Sequence, residues 1–189
     1  ILTPIENGFF SIPKSIENHP LRYALVEIVN LYDSGLTFEP IHRVLFNTDA
    51  KKLIHFVQEK LGGSTFKCKD KEELIQKVEA STSSFGFASR TEGLICVETK
   101  LTCLAVSALQ PVLDEFIDSE KQIDYVHGAA DAINLAERDG VVSVILPPIS
   151  KISFFSTIAE YGSLPRKSFS MGEASEKRFY LECRKLTID

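Results

Sequence analysis

The sequence lacks every complete catalytic signature that residue spacing alone can reveal. It has no Gly-x-Ser-x-Gly motif, no Ser, His and Asp in the order of a hydrolase triad, and no phosphate-binding P-loop. The pair Asp139-Gly140 leads directly into an apolar run, which is typical of a turn rather than of a phosphate cradle. The residues by themselves therefore predict no particular reaction.

Closely spaced cysteines are also missing. The four cysteines, at Cys68, Cys96, Cys103 and Cys183, show no Cys-x-x-Cys spacing. Structural zinc sites use closely spaced ligand pairs, so this spacing argues against zinc, and we predict no metal site. Four scattered thiols in a chain of 189 residues are typical of reduced cysteines. We therefore expect a cytoplasmic protein without a disulfide frame.

Long apolar runs and excess positive charge are absent as well. The longest apolar run, Val141–Leu146, is stopped by two prolines and is far shorter than the roughly 20 residues of a membrane-spanning helix. The N-terminus has no charged segment followed by an apolar one, so secretion is not indicated. The formal net charge of -5 argues against a nucleic-acid backbone as partner. We therefore predict neither a membrane nor a nucleic-acid partner.

What the chain does contain is an ordinary globular composition, 44% hydrophobic and 25% charged. Its 189 residues suffice for one sizeable core, and we expect a single domain over residues 1–189 with an irregular lead-in over residues 1–18. The chain opens without Met, and its one methionine is Met171. We therefore expect a piece of a longer protein.

Hydrophobic periodicity predicts several helices. Helical spacing of apolar residues indicates a helix over Asp49–Leu61 that ends at a glycine pair, and Asp70 has the pattern of a helix N-cap. Pro111 is tolerated only in the first turn of a helix, so the next helix is predicted to start near Ala108. Two more helices are expected over Ala129–Arg138 and after Ser150.

Branched and aromatic residues between turn signals predict the strands. The predicted strands are Tyr23–Tyr32, Leu36–Asn47, Ser84–Ala88, Gly93–Glu98, Leu101–Val106, Ile123–His127, Val141–Leu146 and Phe179–Leu186. Strands interleaved with helices indicate an α/β fold of the mixed α+β kind, a mixed sheet with flanking helices, and a strand-helix-strand unit in the C-terminal half.

The polar segment Gly162–Lys177 is the strongest candidate for a functional loop. Arg166 and Lys167 are followed by Ser168 and Ser170, and such groups can hold a phosphate or carboxylate. Two structural alternatives remain open: a solvated surface loop, or an ion pair between Glu173 and one of the two cations.

Two histidines are candidates for proton transfer or hydrogen bonding. His127 stands where a predicted strand meets a helix, a position that suits an anion and a proton shuttle, although a helix cap or a packed side chain is the more common role. His42 and Arg43 are neighbours on a predicted strand, so their side chains point to opposite faces. At most one of them faces any one site.

Several segments match a known family in their amino-acid sequence and in their order along the chain. They are His19–Asp33, Glu39–Arg43, Asp124–Gly128, Leu164–Ala174 and Lys177–Glu182. Together they resemble the C-terminal half of the bacterial and archaeal family catalogued as domain of unknown function 1015. Members usually carry, upstream, an Asp-Gly-Asn-His or Asp-Gly-His-His motif similar to one in the ParB and sulfiredoxin-like superfamily, which includes an archaeal kinase of free serine.

This sequence has no such motif. The resemblance therefore implies that a catalytic N-terminal half is missing here, and that Arg43, His127, Arg166 and Lys167 contribute to a shared site. Our first hypothesis is a C-terminal domain that binds a small anionic ligand, with a nucleotide or pyrophosphate as candidate cofactor. It would assist phosphoryl transfer to a small hydroxylated substrate such as serine, with His127 or His42 as acid, base or donor. The second is a non-catalytic regulatory or scaffold module, which pairs with the missing half or another subunit, for instance as a homodimer.

Overall fold

A computed structural model describes residues 23, 26, 28–117 and 122–172 of the chain. The chain divides into two compact units, Ile1–Asp33 with Ala174–Asp189, and Ser34–Glu173. The predicted lead-in over residues 1–18 and the predicted strand Phe179–Leu186 lie outside the described residues. No helix in the described ranges has the length and apolar character that a membrane span requires.

In the first unit, the prediction of a strand over Tyr23–Tyr32 is wrong for the residues that are described. Residues 23, 26 and 28–30 have no regular structure, and residues 31–32 form a turn. Asn30 organises this turn, because its side chain accepts a hydrogen bond from the amide of Tyr32 at 3.1 Å and its carbonyl accepts one from Asp33 at 3.0 Å. Such local bonds of asparagine compete with strand pairing, and they explain the error.

The second unit contains the folded elements. Its described strands are β1 (Phe38–Phe46), β2 (Ser64–Lys67), β3 (Ser84–Ser89), β4 (Gly93–Glu98), β5 (Gln122–His127), β6 (Val142–Ile145) and β7 (Phe169–Met171). Its described helices are α1 (Ala50–Leu61), α2 (Lys71–Glu79), α3 (Ala105–Phe116), α4 (Ala129–Leu135) and α5 (Lys151–Tyr161). Asp70 caps α2 as predicted, since its side chain accepts a hydrogen bond from the amide of Glu73. Asp49, which was predicted as the first residue of a helix, caps α1 in the same way and accepts from the amide of Lys52.

The seven described strands form one sheet in the order β2-β4-β3-β6-β1-β5, and β7 pairs with the first residues of β1. Every described pairing is antiparallel. Because β1 is antiparallel to both β5 and β6, those two strands run parallel to each other with β1 between them. The predicted strand-helix-strand unit is therefore confirmed as β5-α4-β6. The predicted α/β fold of a sheet with flanking helices is confirmed as well, although the described pairings make the sheet antiparallel and not mixed.

Helices cover both faces of the sheet, and β1 supplies fully buried side chains to each face. Leu45 belongs to the core beneath α1 and α3, whereas the preceding residue, Val44, belongs to the core beneath α2 and α4. Alternation along a strand produces this division. Side chains at neighbouring positions of β1 therefore pack in different layers of the protein.

Further sequence predictions need correction, among them the helix start near Ala108. Leu101–Val106 is not a strand, because α3 begins at Ala105 and contains Pro111 in its interior. Burial of Ala105, Val106 and Leu109 favours this longer helix despite the cost of proline. Helix α4 ends at Leu135, three residues before Arg138. Strand β2 was not predicted, since its four residues are exposed and show no apolar alternation.

Candidate functional site

The sequence-predicted site residues that the structure describes all lie at one end of the sheet. Strand β1 begins at this end, where Phe38–Pro40 pairs with β7 and Ile41 pairs with His127, the last residue of β5. Strand β6 ends here too, because Arg43 of β1 pairs with Val144. The register thus brings together His42, Arg43, His127 and the segment 162–172, which are far apart in sequence.

A cavity of about 450 Å³ opens at this end on the face covered by α2 and α4. His42 and His127 both line it, together with the carboxylate residues Glu39, Glu79 and Asp131. Its apolar lining comes chiefly from Ile75, Ile145 and Leu146. Two histidines and three acidic residues therefore border the cavity, and its volume suits a small molecule.

His42 is held as a neutral imidazole at the wall of this cavity. Only 3% of the residue is exposed, and its Nδ1 accepts a hydrogen bond from the backbone amide of Leu146 at 3.2 Å. Burial lowers the pKa of His42 to about 4, and the positive charges of Arg43 and of protonated His127 act in the same direction. Since Nδ1 is an acceptor, the ring proton sits on Nε2. His42 is therefore suited to donate a hydrogen bond, and not to supply a proton near neutral pH.

His127 occupies the junction between β5 and α4, as the sequence predicted. The next residue, Gly128, is the N-cap of α4 and has φ 89°, a conformation that favours glycine. A methyl group at Gly128 would lie 3.5 Å from a carboxylate oxygen of Asp131, which stands in the first turn of α4. His127 is partly buried, and its positive charge, when present, lowers the pKa of His42. Its role as acid or base stays a prediction.

Arg43 lies on the opposite face of the sheet from His42, as the alternation along β1 predicts. Its side chain is fully buried. Its Nε donates to Gln110 Oε1 of α3 at 3.1 Å, and its terminal nitrogens donate to the carbonyls of Ile41 and, at 3.5 Å, Arg166. Burial lowers the pKa of Arg43 to about 10, so the guanidinium stays charged near neutral pH. Each of its three nitrogens donates a hydrogen bond within the protein, and direct ligand binding by Arg43 stays a prediction.

Tyr125 joins Arg43 to Arg166. The guanidinium carbons of the two arginines lie 5.1 Å and 5.6 Å from the centre of the Tyr125 ring. Arg166 Nε also donates to the Tyr125 hydroxyl at 3.0 Å. Sequence reasoning missed Tyr125 as a site residue. The signal was its position two residues before His127, but its meaning depends on the pairing of Tyr125 with Arg43 in the sheet.

The loop that carries Arg166 contains the other predicted ligand-binding residues. Arg166 and Lys167 are exposed, and Lys167 has a left-handed backbone with φ 56°. Ser168 is buried and donates its hydroxyl to the carbonyl of Pro165, so that its proton is used inside the loop. Ser170 lies in β7 opposite Glu39 and donates to the carbonyl of Gly172 at 3.5 Å. Ligand contacts by the two serines stay predictions, and Glu173 lies outside the described residues.

Positive and negative groups are thus separated at this end of the sheet. Arg166 and Lys167 are exposed in the loop, and Arg166 lies against Tyr125, whereas the acidic residues Glu39, Glu79 and Asp131 border the cavity. In the part of the chain that the structure describes, no three His, Cys, Asp or Glu side chains are grouped so as to hold a metal ion. The loop at Arg166 and Lys167 therefore suits an anion, whereas the cavity suits a neutral or cationic group.

Solved structures with the same fold include enzymes bound to nucleotides. A conserved hypothetical protein from Pyrococcus furiosus is 15% identical with a TM-score of 0.58, over 78% of this chain and 61% of that chain. A free serine kinase in complex with AMP is 13% identical with a TM-score of 0.58, over 77% of this chain and 58% of that chain. A mutant of a free serine kinase in complex with ADP gives the same values. At these identities the likeness shows the fold alone.

The chain spans about three fifths of the length of these solved chains. No curated protein matches it. The family described as "protein of unknown function (DUF1015)" matches residues 11–116, more than half of the sequence, as the resemblance of its motifs predicted. The chain therefore belongs to the DUF1015 family.

Proposed function

We propose that this chain is a kinase-like, nucleotide-binding module of a cytoplasmic protein, and that the end of its sheet near His127 and Arg166 is the ligand site. The observation that carries the proposal is the meeting of β1, β5 and the 162–172 loop, each of which contributes a cationic or imidazole side chain. Convergence of such groups from distant segments is expected of a site and not of a random surface. The fold shared with nucleotide-bound serine kinases supports the same conclusion.

The exposed cations of the loop would bind the phosphate groups. The Nε of Arg166 is used by the Tyr125 hydroxyl, which fixes the plane of the guanidinium and leaves its two terminal nitrogens for an anion. Lys167 is the next residue and is exposed as well. A planar fork beside a flexible ammonium group is a combination that holds phosphate oxygens of a nucleotide or a phosphorylated metabolite.

The cavity would hold a small hydroxylated substrate, for which serine is the first compound to test. Glu39, Glu79 and Asp131 repel a phosphate, so the transferred group approaches from the loop side. His42 donates from Nε2 to a substrate oxygen, and His127 accepts or returns the hydroxyl proton. The chain assists the transfer rather than completing it, because the catalytic motif that the family resemblance implies is absent from this sequence.

Calorimetric titration with ATP, ADP and pyrophosphate tests the phosphate position. We expect the wild-type chain to bind at least one of them, and the double variant Arg166→Ala/Lys167→Ala to bind it about a hundredfold more weakly, since each lost charge-assisted contact weakens binding about tenfold. The matched control is Lys51→Ala/Arg90→Ala. Those two exposed cations border a separate cavity at the opposite end of the sheet, and their removal should leave the affinity unchanged.

Two outcomes would count against the proposal. Equal affinities for the wild-type chain and the Arg166 and Lys167 variant would place the anion elsewhere. No heat from any of the three compounds would favour the second candidate function, a non-catalytic scaffold or regulatory module.

One observation favours that second function. Helix α5 presents an apolar stripe to solvent, with Ile152 87% exposed and Phe155 59% exposed, and Tyr161 at its end is half-exposed. Such a surface on a soluble domain is typical of a contact with another subunit. A concentration-dependent dimer in sedimentation velocity, combined with an absence of nucleotide binding, would support the scaffold module over the ligand site.

A further inference from the structure

We infer that Arg43 is a positioning residue that seats the 162–172 loop and so holds Arg166 over Tyr125 with its terminal nitrogens facing solvent. The inference rests on the proposed function only in assigning the anion to Arg166. It gives Arg43 a role in binding without any contact between Arg43 and the ligand.

The contacts of Arg43 connect three elements of the second unit. Through Nε it binds Gln110 of α3, and through its terminal nitrogens it binds the carbonyl of Ile41 in β1 and the carbonyl of Arg166 in the loop. Gln110 is itself fixed, because its amide donates to the Asp114 carboxylate at 2.8 Å. The guanidinium therefore attaches the backbone of the loop, at Arg166 itself, to the sheet and to a neighbouring helix.

The ring of Tyr125 turns this backbone contact into an orientation of the Arg166 side chain. Arg43 and Arg166 both lie near the same ring, at 5.1 Å and 5.6 Å, and the Tyr125 hydroxyl accepts from Arg166 Nε at 3.0 Å. A guanidinium near an aromatic ring is attracted to its face. Arg43 binds the carbonyl of Arg166, and Tyr125 binds its Nε, so the Arg166 side chain has little conformational freedom. Its two terminal nitrogens remain available to bind a ligand.

The charges of this cluster favour an anion at its open side. Arg43 and Arg166 are both positive and repel each other, and Lys167 adds a third positive charge. The described carboxylate that acts on Arg43 is the exposed Asp114, and Gln110 hydrogen-bonds both side chains. An anion bound by Arg166 would relieve this repulsion, so that the buried charge of Arg43 also strengthens binding from a distance.

Arginine is required at position 43 because no other side chain makes all of these contacts. Its planar group provides five donors in a fixed plane and interacts with a ring at the same time. Lysine would preserve the charge at position 43 but could not bind Gln110, Ile41 and Arg166 together in one plane. Arg43→Lys therefore removes the positioning contacts and keeps the positive charge, so that the two effects can be measured separately.

A double-mutant cycle measured by titration with inorganic pyrophosphate tests the inference. We expect Arg43→Lys to weaken binding about tenfold in the wild-type background and to have no further effect in the Arg166→Ala background, since Arg43 acts through Arg166. Arg90→Lys is the control, because Arg90 is an exposed arginine paired with Asp139 at the other end of the sheet. Unchanged affinity in Arg43→Lys, or an equal loss in both backgrounds, would overturn the inference.

A second measurement needs no ligand and separates this inference from the proposed function. Hydrogen exchange at Arg166 Nε, followed by ¹⁵N NMR and assigned by the loss of the signal in Arg166→Ala, should be slow in the wild-type chain. It should be at least about tenfold faster in Arg43→Lys, and unchanged in Arg90→Lys. If the wild-type chain binds none of ATP, ADP and pyrophosphate, the proposed function falls, while this exchange rate still decides the role of Arg43. Equal exchange in the wild-type chain and Arg43→Lys would contradict that role.

Discussion

Lowering the pH from 7 to 4 should cost the wild-type chain about 3 kcal/mol more stability than it costs the His42→Asn variant. The ordinary histidine pKa of 6.5 falls to about 4 for His42 in the folded chain, chiefly because the ring is buried. A difference of this size between folded and unfolded states corresponds to about 3 kcal/mol of linked stability. The buried neutral imidazole thus makes the fold sensitive to acid.

The direction of the effect follows from proton uptake. Between pH 6.5 and pH 4 the unfolded chain protonates His42 and the folded chain does not, so the unfolded state gains stability as the pH falls. Above about pH 6.5 neither state binds this proton, and the contribution is constant. Asparagine places an amide oxygen near the position of Nδ1, where it can accept from Leu146, and it does not titrate.

Urea unfolding of both proteins at pH 7, 6, 5 and 4 measures the effect. The difference in unfolding free energy between the wild-type chain and His42→Asn should change steadily over this range and should be constant above pH 7. A difference that is independent of pH would show that His42 takes up its proton as readily in the folded chain as in the unfolded chain, which would contradict the lowered pKa of the buried ring.

Replacement of Gly63 by alanine should destabilise the chain by about 3 kcal/mol. Gly63 has φ +108°, a conformation that L side chains rarely adopt, and a methyl group at this position would lie 2.4 Å from the carbonyl oxygen of Glu98 in β4. That oxygen belongs to the backbone of a paired strand and cannot move without disturbing the pairing of Ser64 with Glu98. Backbone strain and steric overlap therefore add.

Gly93→Ala is the matched control for this change. Gly93 also has a positive φ, +75°, but no atom lies within 4 Å of the position of an added methyl group. It should therefore cost only about 1 kcal/mol, which is the price of the backbone conformation alone. Urea unfolding of the two variants compares them, and equal losses would show that β2 does not pack against β4 as described.

Much of the fold could be predicted because local chemistry determines it. Asp70 was recognised as a helix cap from its residue type and spacing, and the alternation of His42 and Arg43 between the two faces follows from strand geometry. The wrong start of the third helix arose because contacts distant in sequence decide the structure there. Pro111 stays inside α3 because the first turn of that helix is buried by other elements.

The sequence predicted which residues belong to the candidate site, but it did not predict how they are arranged in space. The sequence indicated His42, His127, Arg166 and Lys167, whose residue types stand out from their surroundings. It did not indicate that Tyr125 would connect two arginines, since that depends on the register of β1 with β5. Carboxylates such as Glu39 and Asp131 carry no signal of their own until the sheet brings them to a common cavity.

The most direct test of the central claim is an NMR titration of the ¹⁵N-labelled chain with ADP. We expect the largest amide shifts at His127, Gly128 and residues 166–168, where the loop meets the end of β5. The same titration of Arg166→Ala/Lys167→Ala should leave these signals nearly unmoved. Shifts centred instead on Asp49 and Arg90, at the opposite end of the sheet, or no shifts at saturating ADP, would contradict the proposed ligand site.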